Sequence, residues 1–258
     1  MPKIIALSDL HCGHYAGLTP PEWWMNAEQA PTIANLQRKT WKDYKALVKK
    51  YANPDYLLVM GDCIDGRGER SGSTELITAD RLEQVNMATT CLDMWKARKT
   101  FMVRGTEYHT GNMGEDFENV IAGSLDATIQ DQMYVEIGGK IFYMRHKIGG
   151  SSVPYGSHTQ GAKMAVNNQL MANVDLCPQA DILLFGHVHK YKFSGDDQFM
   201  SINLPALQLP NSKYGNKACS GKIDWGIVVI DIDDETGKVS WEAEIKHYQT
   251  ESTTLIKG

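Results

Sequence analysis

The chain has 258 residues, of which 42% are hydrophobic and 22% are charged, and its formal net charge is -5. This composition is typical of a folded globular protein with a sizeable core, and it excludes a disordered chain. The small negative charge gives no overall electrostatic reason to expect nucleic acid as a partner, although a local basic patch could still bind it.

Five cysteines are scattered along the chain, at positions 12, 63, 91, 177 and 219, and none lies in C-x-x-C spacing. This pattern argues against a disulfide framework and a zinc ribbon, and it favours a reducing compartment. The N-terminal MPKIIALSDL has an apolar run too short for a signal peptide. No run reaches the ~18 apolar residues of a spanning helix, so we expect a cytoplasmic protein without membrane association.

Several short apolar runs end abruptly in clusters of Asp, His and Gly. They are KIIALSDLH (3–11), DYLLVMGDC (55–63), TFMVRGTEYH (100–109), KIFYMRH (140–146) and DILLFGHVH (181–189). Each run predicts a buried strand followed by a polar loop. Segments 32–52, 81–98 and 158–174 have the spacing of helices. The first half therefore alternates strands with helices, which indicates a parallel sheet with crossover helices.

The second half has the pattern of antiparallel hairpins. One hairpin is predicted in MYVEIGGKIFYMRH (133–146) and another in GIVVIDIDDETGKVSWEAEIKHY (226–248), where a DDETGK turn separates the strands. No repeat, low-complexity tract or break in composition marks a linker. We therefore expect one domain over residues 1–258, built around two packed sheets.

The polar clusters lie where a ligand is expected, because open α/β sheets bind ligands beyond the carboxyl ends of their strands. Asp9 and His11 are two residues apart, so at an extended strand end both side chains would point the same way and could bind one cation. His187 and His189 repeat this spacing, and Asp62 follows a glycine that permits a sharp turn. Each pattern alone is weak, and their order along the chain indicates the metal site.

That order resembles the calcineurin-like metallophosphoesterases, whose motifs are D-x-H, G-D-x-x-D, G-N-H-D/E, a single His and G-H-x-H. The resemblance spans residues 9 to 189, and DLHCGHYAGLTPPEWW (9–24) is similar to phage and prophage members of that superfamily. It implies a four-layer α/β/β/α sandwich, in which two mixed sheets are flanked by helices. It also implies two divalent cations at the strand ends.

The resemblance also implies the cation ligands. One cation would be bound by Asp9, His11, Asp62 and His189, and the other by Asp62, His146 and His187. Two cations ~3.5–4 Å apart need a shared carboxylate to offset their repulsion. Mixed imidazole and carboxylate ligands favour Mn, Fe, Zn or Ni over Mg, and Mn²⁺ is the first expectation.

The third motif departs from the family pattern. In VRGTEYHTG (103–111), Thr106 stands where the family has a metal-binding Asn, and His109 comes three residues later rather than one. The second cation could be bound by Glu107, by a water on Thr106, or more weakly than usual. His109 is the candidate general acid.

Other residues near these motifs have two interpretations each. His14 could contact substrate or only support the site, and Arg67 could grip a phosphate or lie in a surface turn. Trp23 and Trp24 could stack on a base or simply pack a loop. The basic helix predicted over 32–52 could follow a phosphate backbone, but a solvated amphipathic helix is more common.

We expect a dinuclear metal-dependent phosphoesterase, a hydrolase in which a metal-bridging hydroxide attacks phosphorus in line with the leaving group. The phage-type resemblance and the aromatic and basic residues near the first motif favour a phosphodiester, either a nucleic acid, as in a nuclease, or a nucleotide. The alternatives are a phosphomonoesterase or protein phosphatase, and a binding scaffold of the same fold with weakened catalysis. The sequence does not indicate an oligomeric state.

Overall fold

The computed structural model describes residues 1–69, 72–111, 116–149, 156, 158–196, 198–210, 212 and 223–248. In chain order the elements are β1 (Lys3–Leu7), α1 (Pro31–Lys50), β2 (Tyr56–Val59), α2 (Arg81–Asp93), β3 (Lys99–Val103), α3 (Glu107–Thr110), α4 (Phe117–Ser124), β4 (Thr128–Gln130), β5 (Gln132–Ile137), β6 (Lys140–Arg145), α5 (Thr159–Ala172), β7 (Ile182–Phe185), β8 (Lys192–Gly195), β9 (Met200–Asn203), β10 (Trp225–Ile232) and β11 (Val239–Lys246). A short 3-10 turn, Pro21–Trp23, precedes α1.

The strands form two mixed sheets. The first has the order β11-β10-β1-β2-β3-β4, in which β1 to β4 are parallel and β10 and β11 are antiparallel additions. The second has the order β5-β6-β7-β9-β8, with three parallel central strands and an antiparallel strand at each edge. The predicted parallel sheet and both predicted hairpins are confirmed.

Apolar clusters lie between four layers. In β1, Ile5 and Leu7 belong to the cluster that packs against α1, α2 and α4, whereas Ile4 and Ala6 belong to the cluster between the sheets. A third cluster joins the second sheet to Ala165 of α5. Strand side chains alternate between faces, so a sheet that is covered on both faces needs continuous apolar runs. The predicted α/β/β/α sandwich is confirmed.

The polar clusters of the sequence all lie at the carboxyl ends of strands. They directly follow β1, β2, β3, β6 and β7. Among the helices that the structure describes, none combines the length and apolar composition that crossing a membrane requires.

Replacing Tyr44 with Phe should destabilise the helical layer. The fully buried Tyr44 hydroxyl donates to the carbonyl of Cys91 at 2.7 Å and accepts from the Trp95 indole at 2.8 Å. Tyr44→Phe leaves both partners unpaired, so we expect the free energy of unfolding to fall by about 1–3 kcal/mol in urea titrations. The control Tyr56→Phe, on a half-buried ring, should change it by less than about 0.5 kcal/mol. An equal loss in both variants would contradict this role.

Candidate metal centre

The structure brings all six predicted ligands together at the carboxyl ends of β1, β2, β6 and β7. Five of them adopt the left-handed backbone conformation, with φ between 46° and 73°: Asp9, His11, Asp62, His187 and His189. Residues other than glycine rarely adopt this backbone conformation, and those that do cluster at functional sites. The extended geometry expected for D-x-H and H-x-H is therefore wrong. Their side chains converge because the backbone turns after the strand has ended.

Two glycines allow the loops after β2 and β3 to touch. A Cβ on Gly105 would lie 2.2 Å from the backbone N and the Oδ1 of Asp62. A Cβ on Gly61, whose φ is 78°, would lie 2.5 Å from the backbone N of Gly105. The sharp turn predicted at Gly61 is confirmed, and it presents Asp62 to the loop that follows β3.

The first donor group consists of Asp9, His11 and His189, all buried. The Nε2 of His189 lies 3.1 Å from the Oδ1 of Asp9, and the Nε2 of His11 lies 3.3 Å from the Nε2 of His189. Donors bonded to one cation at ~2.0–2.2 Å lie about 3.0–3.5 Å apart, so these separations fit a shared cation.

The second group consists of Asp62, His146 and His187. The Nε2 of His146 lies 3.0 Å from the Oδ2 of Asp62. The hydroxyl of Thr106 lies 3.3 Å from each of these two atoms and 3.4 Å from the Nδ1 of His187. Thr106 is thus placed among the donors. Glu107 is exposed and belongs to none of the donor groups found among the described residues.

Hydrogen bonds fix the imidazoles of His11 and His146 with Nε2 towards the carboxylates. The Nδ1 of His11 lies 2.9 Å from the Oδ1 of Asp65, and the Nδ1 of His146 donates to the carbonyl of Met60. Such partners set the orientation and the tautomer of a metal-binding histidine. Asp65 therefore orients the imidazole of His11, one of the predicted ligands.

The buried carboxylates of the site favour the binding of a cation. In the described residues, the ion pairs of the buried carboxylates Asp9, Asp62 and Asp65 are all with histidines. Burial raises the pKa of Asp62, but the charges of His146 and His109 outweigh it and hold that pKa below its usual value. Burial lowers the pKa of His146, but Asp62 raises it overall to about 9. Positive charge is favoured here, and divalent cations that displaced these protons would supply it.

His109 lies in the single turn of helix α3, next to the donors. The backbone N of His109 donates to the carbonyl of Thr106 at 2.8 Å, and the His109 ring lies edge-on to the His11 ring with centroids 4.6 Å apart. The Nδ1 donates to the carbonyl of Asp65 at 2.8 Å, which orients the ring. Burial lowers the pKa of His109. His109 also forms a third donor group with His11 and Asp62, which links the other two.

The structure places the residues that had two interpretations. His14 is 5% exposed, and its Nδ1 accepts from the backbone N of Ala16; a substrate contact of His14 stays a prediction. Trp23 donates to Glu83, and Trp24 donates to the carbonyl of Thr19, so these rings pack the loop.

Arg67 lies at the surface beside the metal centre. It is exposed and lines a cavity of about 40 Å³ together with His109. The predicted contact between Arg67 and a phosphate stays a prediction, and the exposed position of Arg67 permits it.

Sequence reasoning missed Glu118, the only fully buried glutamate that the described residues contain. Its Oε1 accepts from the backbone N of Cys63 at 2.9 Å, and its Oε2 accepts from the backbone N of Gly105 at 2.7 Å. Burial raises its pKa to about 7, although both N–H groups oppose this. Glu118 joins the residue after Asp62 to the residue before Thr106. The sequence marks Glu118 only as an acidic residue in the first turn of a helix, α4.

No family model matches the chain, and no curated protein matches it. Solved structures with a similar fold include an archaeal phosphodiesterase, with 14% identity over 93% of this chain and 99% of that chain and a TM-score of 0.44. They also include Vps29 from Entamoeba histolytica complexed with Zn²⁺, with 14% identity over 94% and 98% and a TM-score of 0.45. A predicted phosphoesterase from Streptococcus pneumoniae has 14% identity over 96% and 92% and a TM-score of 0.41. Such distant likeness does not define an activity, and the function is inferred below from the side chains.

Removing and restoring divalent cations should change thermal stability. A ligand at 100 times its Kd stabilises the fold by about 2.7 kcal/mol, which corresponds to a Tm increase of about 5–10 °C for a chain of this size. We therefore expect Mn²⁺ to raise the Tm of chelator-treated protein by that amount, and Asp62→Asn to remove most of the increase. Asp93→Asn, on an exposed carboxylate, is the matched control. Equal Tm values in Mn²⁺ and in chelator would show that the donors do not bind it.

Glu118→Gln should weaken cation binding. An amide has only one acceptor oxygen, so one of the two backbone N–H groups would lose its partner and the two loops would shift apart. Loss of such support typically costs about 10-fold or more in metal affinity, which calorimetric Mn²⁺ titration measures. Asn168→Ala is the control, because the buried Asn168 accepts from the backbone N of Ala180 and contacts no donor group. Unchanged affinity in Glu118→Gln would refute this positioning role.

Proposed function

We propose that the chain is a dinuclear metal-dependent phosphoesterase that hydrolyses phosphodiesters. The observation that carries the proposal is the position of Asp62. Its carboxylate lies with His146 and His187 on one side, and it forms a linking group with His11 and His109 on the other. A shared carboxylate is what a pair of cations requires.

Each cation would have its own donors. Asp9, His11, Asp62 and His189 would hold the first, and Asp62, His146, His187 and the Thr106 hydroxyl would hold the second. This donor set favours Mn²⁺, with Fe, Zn or Ni as other occupants. When bound, such a pair supplies Lewis-acid activation of water and neutralises charge on the phosphoryl oxygens.

The chain's own groups would hold the substrate and move the proton. His109 would donate a proton to the leaving oxygen from its imidazolium form. Because its Nδ1–H is engaged by the carbonyl of Asp65, the proton on Nε2 is the one available for transfer. Arg67 would contact a phosphoryl oxygen from the rim.

The size of the adjoining cleft favours a diester over a small monoester. A cleft of about 650 Å³, which Thr106 and His146 help to line, opens beside the second donor group. Sites of this volume accommodate molecules with many more atoms than one phosphate group. A phosphodiester has a substituent on each side of phosphorus that could occupy it.

Hydrolysis assays on Mn²⁺-loaded protein test the proposal. We expect turnover of bis-p-nitrophenyl phosphate, a diester, to exceed turnover of p-nitrophenyl phosphate, a monoester. Faster monoester turnover would favour the phosphomonoesterase alternative. No turnover of either ester by protein with bound metal would refute the enzyme and favour the scaffold.

His187→Ala should lower kcat for the diester by at least about 100-fold, because the second donor group loses one of its two imidazoles. His247→Ala is the matched control, since His247 is an exposed histidine beside Asp224. Metal content and kcat are both measured. Full activity in His187→Ala would show that the second group does not serve the reaction.

A further inference from the structure

The 650 Å³ cleft is lined by three basic side chains, Arg104, Arg145 and Lys147, and by three carboxylates, Glu107, Asp116 and Asp131. It lies where the chain passes from β4 of the first sheet to β5 of the second, and Arg104, Asp116 and Asp131 line it there. Arg104 forms ion pairs with both of these carboxylates, at 3.1 Å to the Oδ1 of Asp131. The charge of Arg104 is therefore used within the protein.

Two further cations line the same cleft. Arg145 ends β6, Lys147 follows it, and both are exposed. In the described part of the chain, neither has a carboxylate within ion-pair distance. They flank His146 in the sequence, and His146 lines the same cleft and belongs to the second donor group, so the cleft adjoins the candidate metal centre.

The remaining lining is polar rather than aromatic. Gln132 pairs across the hairpin with Arg145, and among the described residues no Phe, Tyr or Trp lines the cleft. A base would find no stacking platform there, whereas an anionic group would find a guanidinium and an ammonium. Arg145 and Lys147 are therefore the groups of this cleft that an anion would contact.

We propose that Arg145 and Lys147 bind a second phosphate of the substrate, next to the phosphate that lies at the metal centre. This inference rests on the proposed function and names its substrate class: a diester that carries a further phosphate one nucleoside away, as in a nucleotide strand. Arg145 and Lys147 are specificity-determining residues, and the reacting phosphorus is left to the donors around Asp62.

Binding of two nucleotides to the Mn²⁺-loaded protein tests the inference without any turnover. Thymidine 3′,5′-bisphosphate should bind about tenfold more tightly than thymidine 5′-phosphate in calorimetric titrations, since one charge-assisted contact contributes about that factor. The double variant Arg145→Gln/Lys147→Gln should bring the ratio of the two Kd values close to one. Both side chains are exposed, so the fold should be retained, and thermal unfolding checks this.

Lys96→Gln is the matched control, because Lys96 precedes β3 at the opposite end of the sheet and is exposed. It should keep the wild-type ratio. A wild-type ratio near one, or a double variant that keeps the preference, would overturn the inference. Failure of the wild-type protein to hydrolyse diesters would instead count against the proposed function, because the binding ratio does not depend on hydrolysis.

Discussion

The candidate metal centre depends on the placement of one buried carboxylate. Asp62 is 2% exposed, and its Oδ1 accepts from the backbone N of Thr106 at 2.6 Å while its Oδ2 faces His146. Burial of a charged carboxylate is unfavourable unless hydrogen bonds and opposite charge compensate it. The loops after the neighbouring strands supply both. Their arrangement suits the proposed pair of cations, which would share this anionic ligand.

That placement requires close contact between loops, and the structure achieves it through the backbone. Gly61 and Gly105 let the loops after β2 and β3 approach each other, and Glu118 accepts an N–H group from each loop. The left-handed conformations of the donors cost conformational energy that the surrounding hydrogen bonds must offset. The rigid sandwich beneath them makes this possible, because parallel strands end at one edge and bring distant segments of the chain together.

Much of the fold could be predicted from the sequence, because strands buried on both faces have continuous apolar runs and hairpins have clear turns. The strands β4, β8 and β9 could not, since TIQ, KFSG and MSIN lack the continuous apolar run that marks the equally short β2 and β7. The donors were predicted from their types and order, but not the reason for their convergence: the spacing of Asp9 and His11 indicated an extended strand end, whereas both adopt left-handed conformations. Glu118 was missed because only the tertiary structure brings α4 against the two loops. The role of Thr106 required the same information, because a hydroxyl becomes a plausible donor only when imidazoles and a carboxylate surround it.

The most direct test of the central claim is a crystal structure of the Mn²⁺-soaked protein with anomalous diffraction measured near the manganese absorption edge. The account predicts two anomalous peaks about 3.5–4 Å apart, one on each side of the Asp62 carboxylate. The first peak should lie near His11 and His189, and the second near His146 and His187. A single peak remote from Asp62, or no peak at this site in protein that binds Mn²⁺ in solution, would contradict a dinuclear centre.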